Sequence, residues 1–288
     1  MNYPSPQRTG AIAVTMVALL MGGSGLAAAD LDLDAALARA SELKQPLIVL
    51  VAESARSKAD DDARRLLESR AVKDRSNHAV IFVLDISVSR NRATATRFHI
   101  VETPLLLCLT PRGVIVSRDV KPLTAGLILQ RIGEVVQHWP DLDAKLVSLV
   151  NDAGKDANNT TAQFDLTDFL LAHHNAVEAI PHLAALAHSE TTAPDARIRA
   201  WVALVRAHFW IAEPEKARHE AQDLMATLGT TTPEARAAGE FVLGSQDSTT
   251  IRLARARTEF EAAIAAAPDS SYGKQAAEAL ANLPKSGQ

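Results

Sequence analysis

Three strand-like apolar runs, at residues 47–51, 80–84 and 104–109, all fall in the first half of the chain, and beyond residue 140 the apolar residues take up helical spacing instead. A run such as Leu47-Ile48-Val49-Leu50-Val51 marks a strand buried on both faces. Helical spacing surrounds these runs, in Ala35, Leu37, Ala38 and Leu43, then in Ala63, Leu66 and Leu67, then over residues 92–98. Pro111-Arg112-Gly113 supplies a hairpin turn into a fourth strand at 114–117. Leu127, Leu129, Ile132 and Val136 predict a helix over 123–138. Beyond residue 140 the periodicity is helical only. A helix over 142–150 precedes a polar, glycine-containing linker at 151–161, and helices continue to a last one over 271–283. The expected architecture is therefore α/β followed by all-α, with boundaries at 30–140, 141–161 (helix and linker) and 162–285. Abundant alanine and only 4% aromatic residues suit close-packed helices in the second part.

The first 29 residues read as a leader. Arg8 is the only charge before Asp30, residues 11–21 are almost wholly apolar, and Ala27-Ala28-Ala29 precedes Asp30. The apolar run is shorter than the roughly 20 residues a membrane span needs, and the small residues fit a signal-peptidase site after Ala29. The alternative is an uncleaved anchor. The expected product is exported to a bacterial periplasm or secreted, with no stable membrane span after cleavage. The formal charge is −4, and loss of residues 1–29 removes one Arg and no acid. A mildly acidic chain gives no electrostatic case for nucleic acid.

One cysteine, Cys108, is present, and it lies in the apolar run 105–109. It has no partner for an internal disulfide or for dithiol exchange, and a free thiol in such a run behaves as a small buried hydrophobe.

The order βαβ, then α, then ββα, together with Phe98-His99-Ile100-Val101-Glu102-Thr103-Pro104-Leu105-Leu106-Leu107, resembles the thioredoxin-like family. Lys44-Gln45-Pro46 after a helix and before the first strand is similar to the periplasmic branch of that family. The resemblance covers about residues 32–138. It implies a Cys-x-x-Cys pair where the first strand meets its helix. Here that place reads Ala52-Glu53-Ser54-Ala55-Arg56-Ser57-Lys58. One register sets Ala55 and Lys58 at the two cysteine positions, the other Ser54 and Ser57, and neither supplies a thiol. The first strand also lacks the carboxylate that assists proton movement in such enzymes. Dithiol–disulfide exchange needs a thiolate nucleophile and a second, resolving thiol, so its parts are missing. The resemblance further implies a cis bond at Thr103-Pro104. The Thr103 backbone there is either a pairing edge for an extended peptide or part of a structural turn.

In the second part, Ala256, Phe260, Ala263 and Pro268 have the A-x3-F-x2-A-x4-P spacing, with Leu243-Gly244 in the helix before. Ala217, Ala221 and Leu224 repeat the offsets, after Trp201 and Leu204, and Ala179, Leu183 and Leu186 do so less fully. The pattern resembles a tetratricopeptide array of about three units. Its alanines stand 38 and 39 residues apart, wider than the family's roughly 34. Small residues let paired helices approach, and large ones plug the seams. The resemblance implies a helical solenoid whose first helices line a concave face. On that face the second unit would present Arg199, Val202, Arg206, Phe209 and Trp210, an arrangement that suits an acidic or C-terminal peptide. Packing of the aromatics against neighbouring helices is the alternative.

Nine histidines form no ligand pattern. His173 and His174 are adjacent and point to different helix faces, while His182 and His188 are six apart rather than three or four. Asp60-Asp61-Asp62 suits the N-terminal end of a helix dipole. No glycine-rich phosphate loop or nucleophile with its base is visible, so no cofactor, metal or catalytic residue is expected. The expected function is binding or scaffolding of another envelope protein or peptide by an exported, redox-inactive chain. The alternative is an enzyme or chaperone-like factor of the envelope working without a cysteine pair.

Overall fold

The computed structural model describes residues 32–53, 57–98, 100, 102–120, 122–156, 158–250 and 252–284. The expected leader at 1–29 lies outside them, as do Ser54 and Ala55.

Helix α1 (Leu33–Leu43) begins where the Asp32 carboxylate accepts the Ala35 N–H at 2.8 Å. It ends at Lys44, whose left-handed backbone turns its N–H back onto the Ala40 and Ser41 carbonyls. Four strands form one mixed sheet, β1 (Leu47–Ala52), β2 (Val80–Asp85), β3 (Leu105–Leu109) and β4 (Ile115–Val120), in the order β2-β1-β3-β4. β1 runs parallel to β2 and antiparallel to β3, and β4 returns antiparallel to β3. Every residue of β1 and β3 is buried, which explains their unbroken apolar sequences. Alternation divides them between two faces. Leu47, Val49, Val51 and Leu107 meet α1 and Phe98 on one face, and Ile48, Leu50, Leu106 and Cys108 meet the helices on the other. Those helices include α2 (Lys58–Glu68) and a short α3 (Arg70–Arg75) that the periodicity did not predict; α4 (Arg92–Arg97) leads towards the third strand. The cap of α2 is Ser57.

The largest departure from expectation is α5 (Ala125–Lys155), one helix of 31 residues with Pro140 inside it. The sequence pattern predicts two helices here, over 123–138 and 142–150. The proline removes one backbone donor and crowds the preceding turn, yet the helix is held on both sides. Ile128, Ile132 and Val135 are buried against the sheet, and Ala153, Leu146 and Leu149 join the core of the second part. Most of the expected linker is therefore helical, and the chain leaves helix only around residues 156–159.

From there on all regular structure among the described residues is helical: α6 (Thr160–Ala172), α7 (Ala176–His188), α8 (Pro194–Trp210), α9 (Pro214–Thr227), α10 (Pro233–Thr249), α11 (Leu253–Ala266) and α12 (Ser271–Asn282). Helices α8, α9 and α10 each open with a proline in the first turn, where no N–H partner is lost. Each helix contacts the next, and α10 also touches α8 and α12. The small and large residues picked out by spacing all sit in the shared core: Ala179, Leu183 and Leu186 on α7, Ala217, Ala221 and Leu224 on α9, and Ala256, Phe260 and Ala263 on α11. Close approach is visible at Gly244, where an added Cβ would stand 2.7 Å from the Phe260 ring.

The sheet and the helices belong to one compact unit that begins at Asp32. The α6–α7 turn grips the β3–β4 hairpin. His173 Nδ1 lies 2.8 Å from the Ile115 carbonyl, and Asn175 Nδ2 donates to the Gly113 carbonyl at 3.2 Å. Gly113 itself has φ +83, a conformation that favours glycine. Arg97 of α4 pairs with Glu178 of α7 and lies 3.7 Å from Asp34 of α1.

Candidate functional site

Of the four positions that the resemblance aligns with a cysteine pair, the two described ones, Ser57 and Lys58, lie at the start of α2. Ser57 Oγ accepts the Asp60 N–H at 3.1 Å and donates to Asp60 Oδ2 at 2.7 Å, a local capping arrangement. Lys58 is exposed in the first turn of α2. The Thr103–Pro104 bond is cis, as the resemblance implies, with Pro104 buried and Thr103 partly so. Cys108 is fully buried in the centre of the sheet, and burial pushes its thiol up to about 12.

The sign of that shift gives a direct test. A thiol that ionises near 9 when exposed goes from about 1% to about half thiolate as pH rises from 7 to 9, and thiolate is the reactive form. In the native chain Cys108 stays protonated over that range. Alkylation of the native protein, followed by mass spectrometry, is therefore expected to stay slow from pH 7 to 9. In urea it is expected to accelerate by about fiftyfold over the same range. Fast alkylation of the folded chain at pH 7 would contradict a buried, inert thiol.

The five residues expected on one face of α8 separate into three groups. Val202 is only 5% exposed and belongs to the core, so it is not available to a ligand. Arg199 turns towards α6, donating to Asp168 Oδ2 at 2.6 Å with its guanidinium 4.0 Å from the centre of the Phe164 ring. It lines a cleft with Thr160, Phe164, Asp165 and Asp195. Arg206, Phe209 and Trp210 remain together. The physical reason is that α8 has a neighbour on each side of this face, and a helix turns by about 100° per residue. A face predicted as one patch is thus shared between partners.

Arg206, Phe209 and Trp210 line a groove of about 240 Å³ with Val205 of α8 and Val242, Ser245, Gln246 and Thr249 of α10. Its walls are mostly apolar. Trp210 is 41% exposed, with the His174 ring 4.9 Å from its own. Arg206 is exposed and makes no ion pair with any described residue. Gln246 is buried, and its Nε2 has no hydrogen-bond partner among the described residues. An apolar wall edged by an exposed guanidinium is equipped to receive an apolar group carrying a carboxylate. Sequence reasoning missed Val242, Gln246 and Thr249. Their spacing of four and three residues was the available signal, hidden because Leu243-Gly244 set the reading of that helix.

The histidines are used singly. His182 Nδ1 lies 2.9 Å from Gln163 Oε1, and burial lowers the pKa of His182. His208 Nδ1 lies 2.8 Å from Glu213 Oε2. Among the described residues no group of three or more His, Cys, Asp or Glu side chains is placed to hold a metal ion. Among the same residues no helix is long and apolar enough to cross a membrane. Comparison with known proteins finds no family model that matches this chain and no curated protein that matches it.

Proposed function

We propose that this is an exported, redox-inactive thioredoxin-like domain joined to a short tetratricopeptide-like solenoid, and that it binds a peptide or tail of another envelope protein. The sheet order, with a parallel and two antiparallel pairings, supports the first assignment. Consecutive helix pairs with buried alanine and phenylalanine seams support the second. Export rests on the sequence of residues 1–29. Loss of redox activity rests on the single, buried thiol, since exchange requires an accessible thiolate and a partner.

The observation that carries the binding function is the α8–α10 groove, where Arg206, Phe209 and Trp210 converge. The guanidinium supplies charge-assisted hydrogen bonds to a carboxylate, and the rings and Val242 supply apolar contact. The test is a screen of fluorescent peptides with an apolar C-terminal residue, each as free acid and as amide. Binding of the best free acid is expected to weaken at least about tenfold, or 1.4 kcal/mol, on amidation and in Arg206→Ala and Trp210→Ala. Arg199→Ala, outside the groove, is expected to leave it unchanged. Equal binding by both groove variants would place the contact elsewhere.

A further inference from the structure

A second cleft, of about 430 Å³, opens where the end of α1, the β3–β4 hairpin and the middle of α5 meet. Lys44, Pro111, Arg112, Trp139, Asp143 and Val147 line it. Nothing in it belongs to the α8–α10 groove.

Asp143 lies one turn past Pro140 and is only 8% exposed. Its Oδ1 is shut off from solvent with no hydrogen-bond partner among the described residues. Its Oδ2 stands 3.9 Å from Arg112 Nε, beyond hydrogen-bond range. Burial raises the pKa of this carboxyl, opposed by the Thr110 hydroxyl and by Arg112. A buried carboxylate with an unmet oxygen is costly unless a donor reaches it. The cations are also underused. Arg112 is more than half exposed beside that loose contact, and Lys44 is exposed with no ion-pair partner among the described residues. Trp139 is half-buried, and Val147 is 36% exposed, so the cleft has an apolar wall as well.

An anion and a cation side by side, both with spare capacity and next to an apolar wall, select among ligand classes. A simple anion would meet Arg112 and Lys44 but be repelled by Asp143. A simple cation would meet Asp143 and be repelled by the two bases. An α-amino acid carries its ammonium and carboxylate on one carbon and satisfies both at once. We propose that this cleft binds a free apolar α-amino acid as its zwitterion. The ammonium donates to the Asp143 carboxylate on its Oδ2 side, where Arg112 makes only the loose contact, the carboxylate pairs with Arg112 and Lys44, and the side chain lies against Trp139 and Val147.

The experiment is isothermal titration of the full chain with L-leucine, N-acetyl-L-leucine and L-leucinamide. The expected result is saturable binding of leucine, with each derivative at least about tenfold weaker because one head-group charge is gone. Asp143→Asn and Lys44→Ala are each expected to weaken leucine binding at least about fivefold, with thermal unfolding recorded for both. Lys44 is exposed, so its variant folds whatever happens at Asp143. No saturable binding of leucine to the wild type would overturn the proposal. So would equal binding of either derivative, or leucine binding that both variants leave unchanged.

Discussion

Phe260→Ala is expected to destabilise the protein by about 3–5 kcal/mol, as deletion of a buried aromatic ring does. Phe260 is 1% exposed, and its ring fills the seam between α10 and α11, against Gly244. It also lies 6.1 Å, centre to centre, from the ring of Phe241. The complementary change attacks the same contact from the other side. A Cβ at position 244 would meet Phe260 Cδ1 at 2.7 Å and Cε1 at 2.8 Å. A fixed ring cannot retreat within a packed seam, so Gly244→Val should cost about 1–3 kcal/mol through overpacking. Because the two residues touch, their effects should not add. Phe260→Leu in the Gly244→Ala background should cost less than the sum of the single changes. Urea unfolding followed by circular dichroism measures all of these. A loss below about 1 kcal/mol for Phe260→Ala would mean that the seam collapses around the missing ring.

The second large effect is electrostatic. Arg218 of α9 lies between two carboxylates, with Nη2 2.9 Å from Asp247 Oδ1 on α10 and Nη1 3.5 Å from Glu259 Oε1 on α11. The Asp247 and Glu259 side chains are only 2% and 10% exposed. Arg255 bridges the same pair from the solvent side, at 3.1 and 3.2 Å. Arg218→Met should cost about 3–5 kcal/mol at pH 7, because it leaves two buried like charges with only the exposed Arg252 and Arg255 as counter-ions. The pH dependence has a definite sign. Burial, then repulsion from Asp247, already raises the pKa of Glu259, and a raised carboxyl pKa means the folded state holds its proton more tightly. Stability from this group is therefore gained as pH falls through its folded pKa and lost as pH rises. Removing Arg218 strengthens that tendency, so the variant should be weakest at neutral pH and approach the wild type in acid. Arg218→Met with Glu259→Gln should recover much of the loss at pH 7. By contrast, the Arg199–Asp168 pair, both side chains 56% exposed, should contribute less than about 1 kcal/mol. A pH-independent deficit for Arg218→Met would point to lost packing instead of lost charge.

Much of this molecule was legible where the determining forces are local. β1 and β3 stand where continuous apolar runs put them, because a strand buried on both faces cannot carry alternating polar residues. The seam positions of α7, α9 and α11 were legible for a related reason: small and large side chains at helical spacing leave a pattern inside a single helix. What was illegible depends on separated segments. Pro140 reads as a stop, and only the anchoring of Ile132 on one side and Ala153 on the other carries the helix past it. Arg199 and Arg206 read as one patch, but Asp168 and Phe164 take the first while Gln246 and Val242 frame the second. Asp247 and Glu259 are 29 and 41 residues from Arg218. No window of sequence brings those three together.

Helix α5 also works as a ruler. Its 31 residues span about 46 Å of helical rise, with one part embedded in the sheet core and another in the helical core. The cleft beside Asp143 lies on this helix, and the groove beside Arg206, between α8 and α10, belongs to the same compact unit and not to a second body on a tether. For any ligand that engages both, the separation is set in advance. Molecules of matching reach gain a high effective concentration at the second contact, and those too short gain none. Selection by length then requires no residue beyond those that already hold the helix in place.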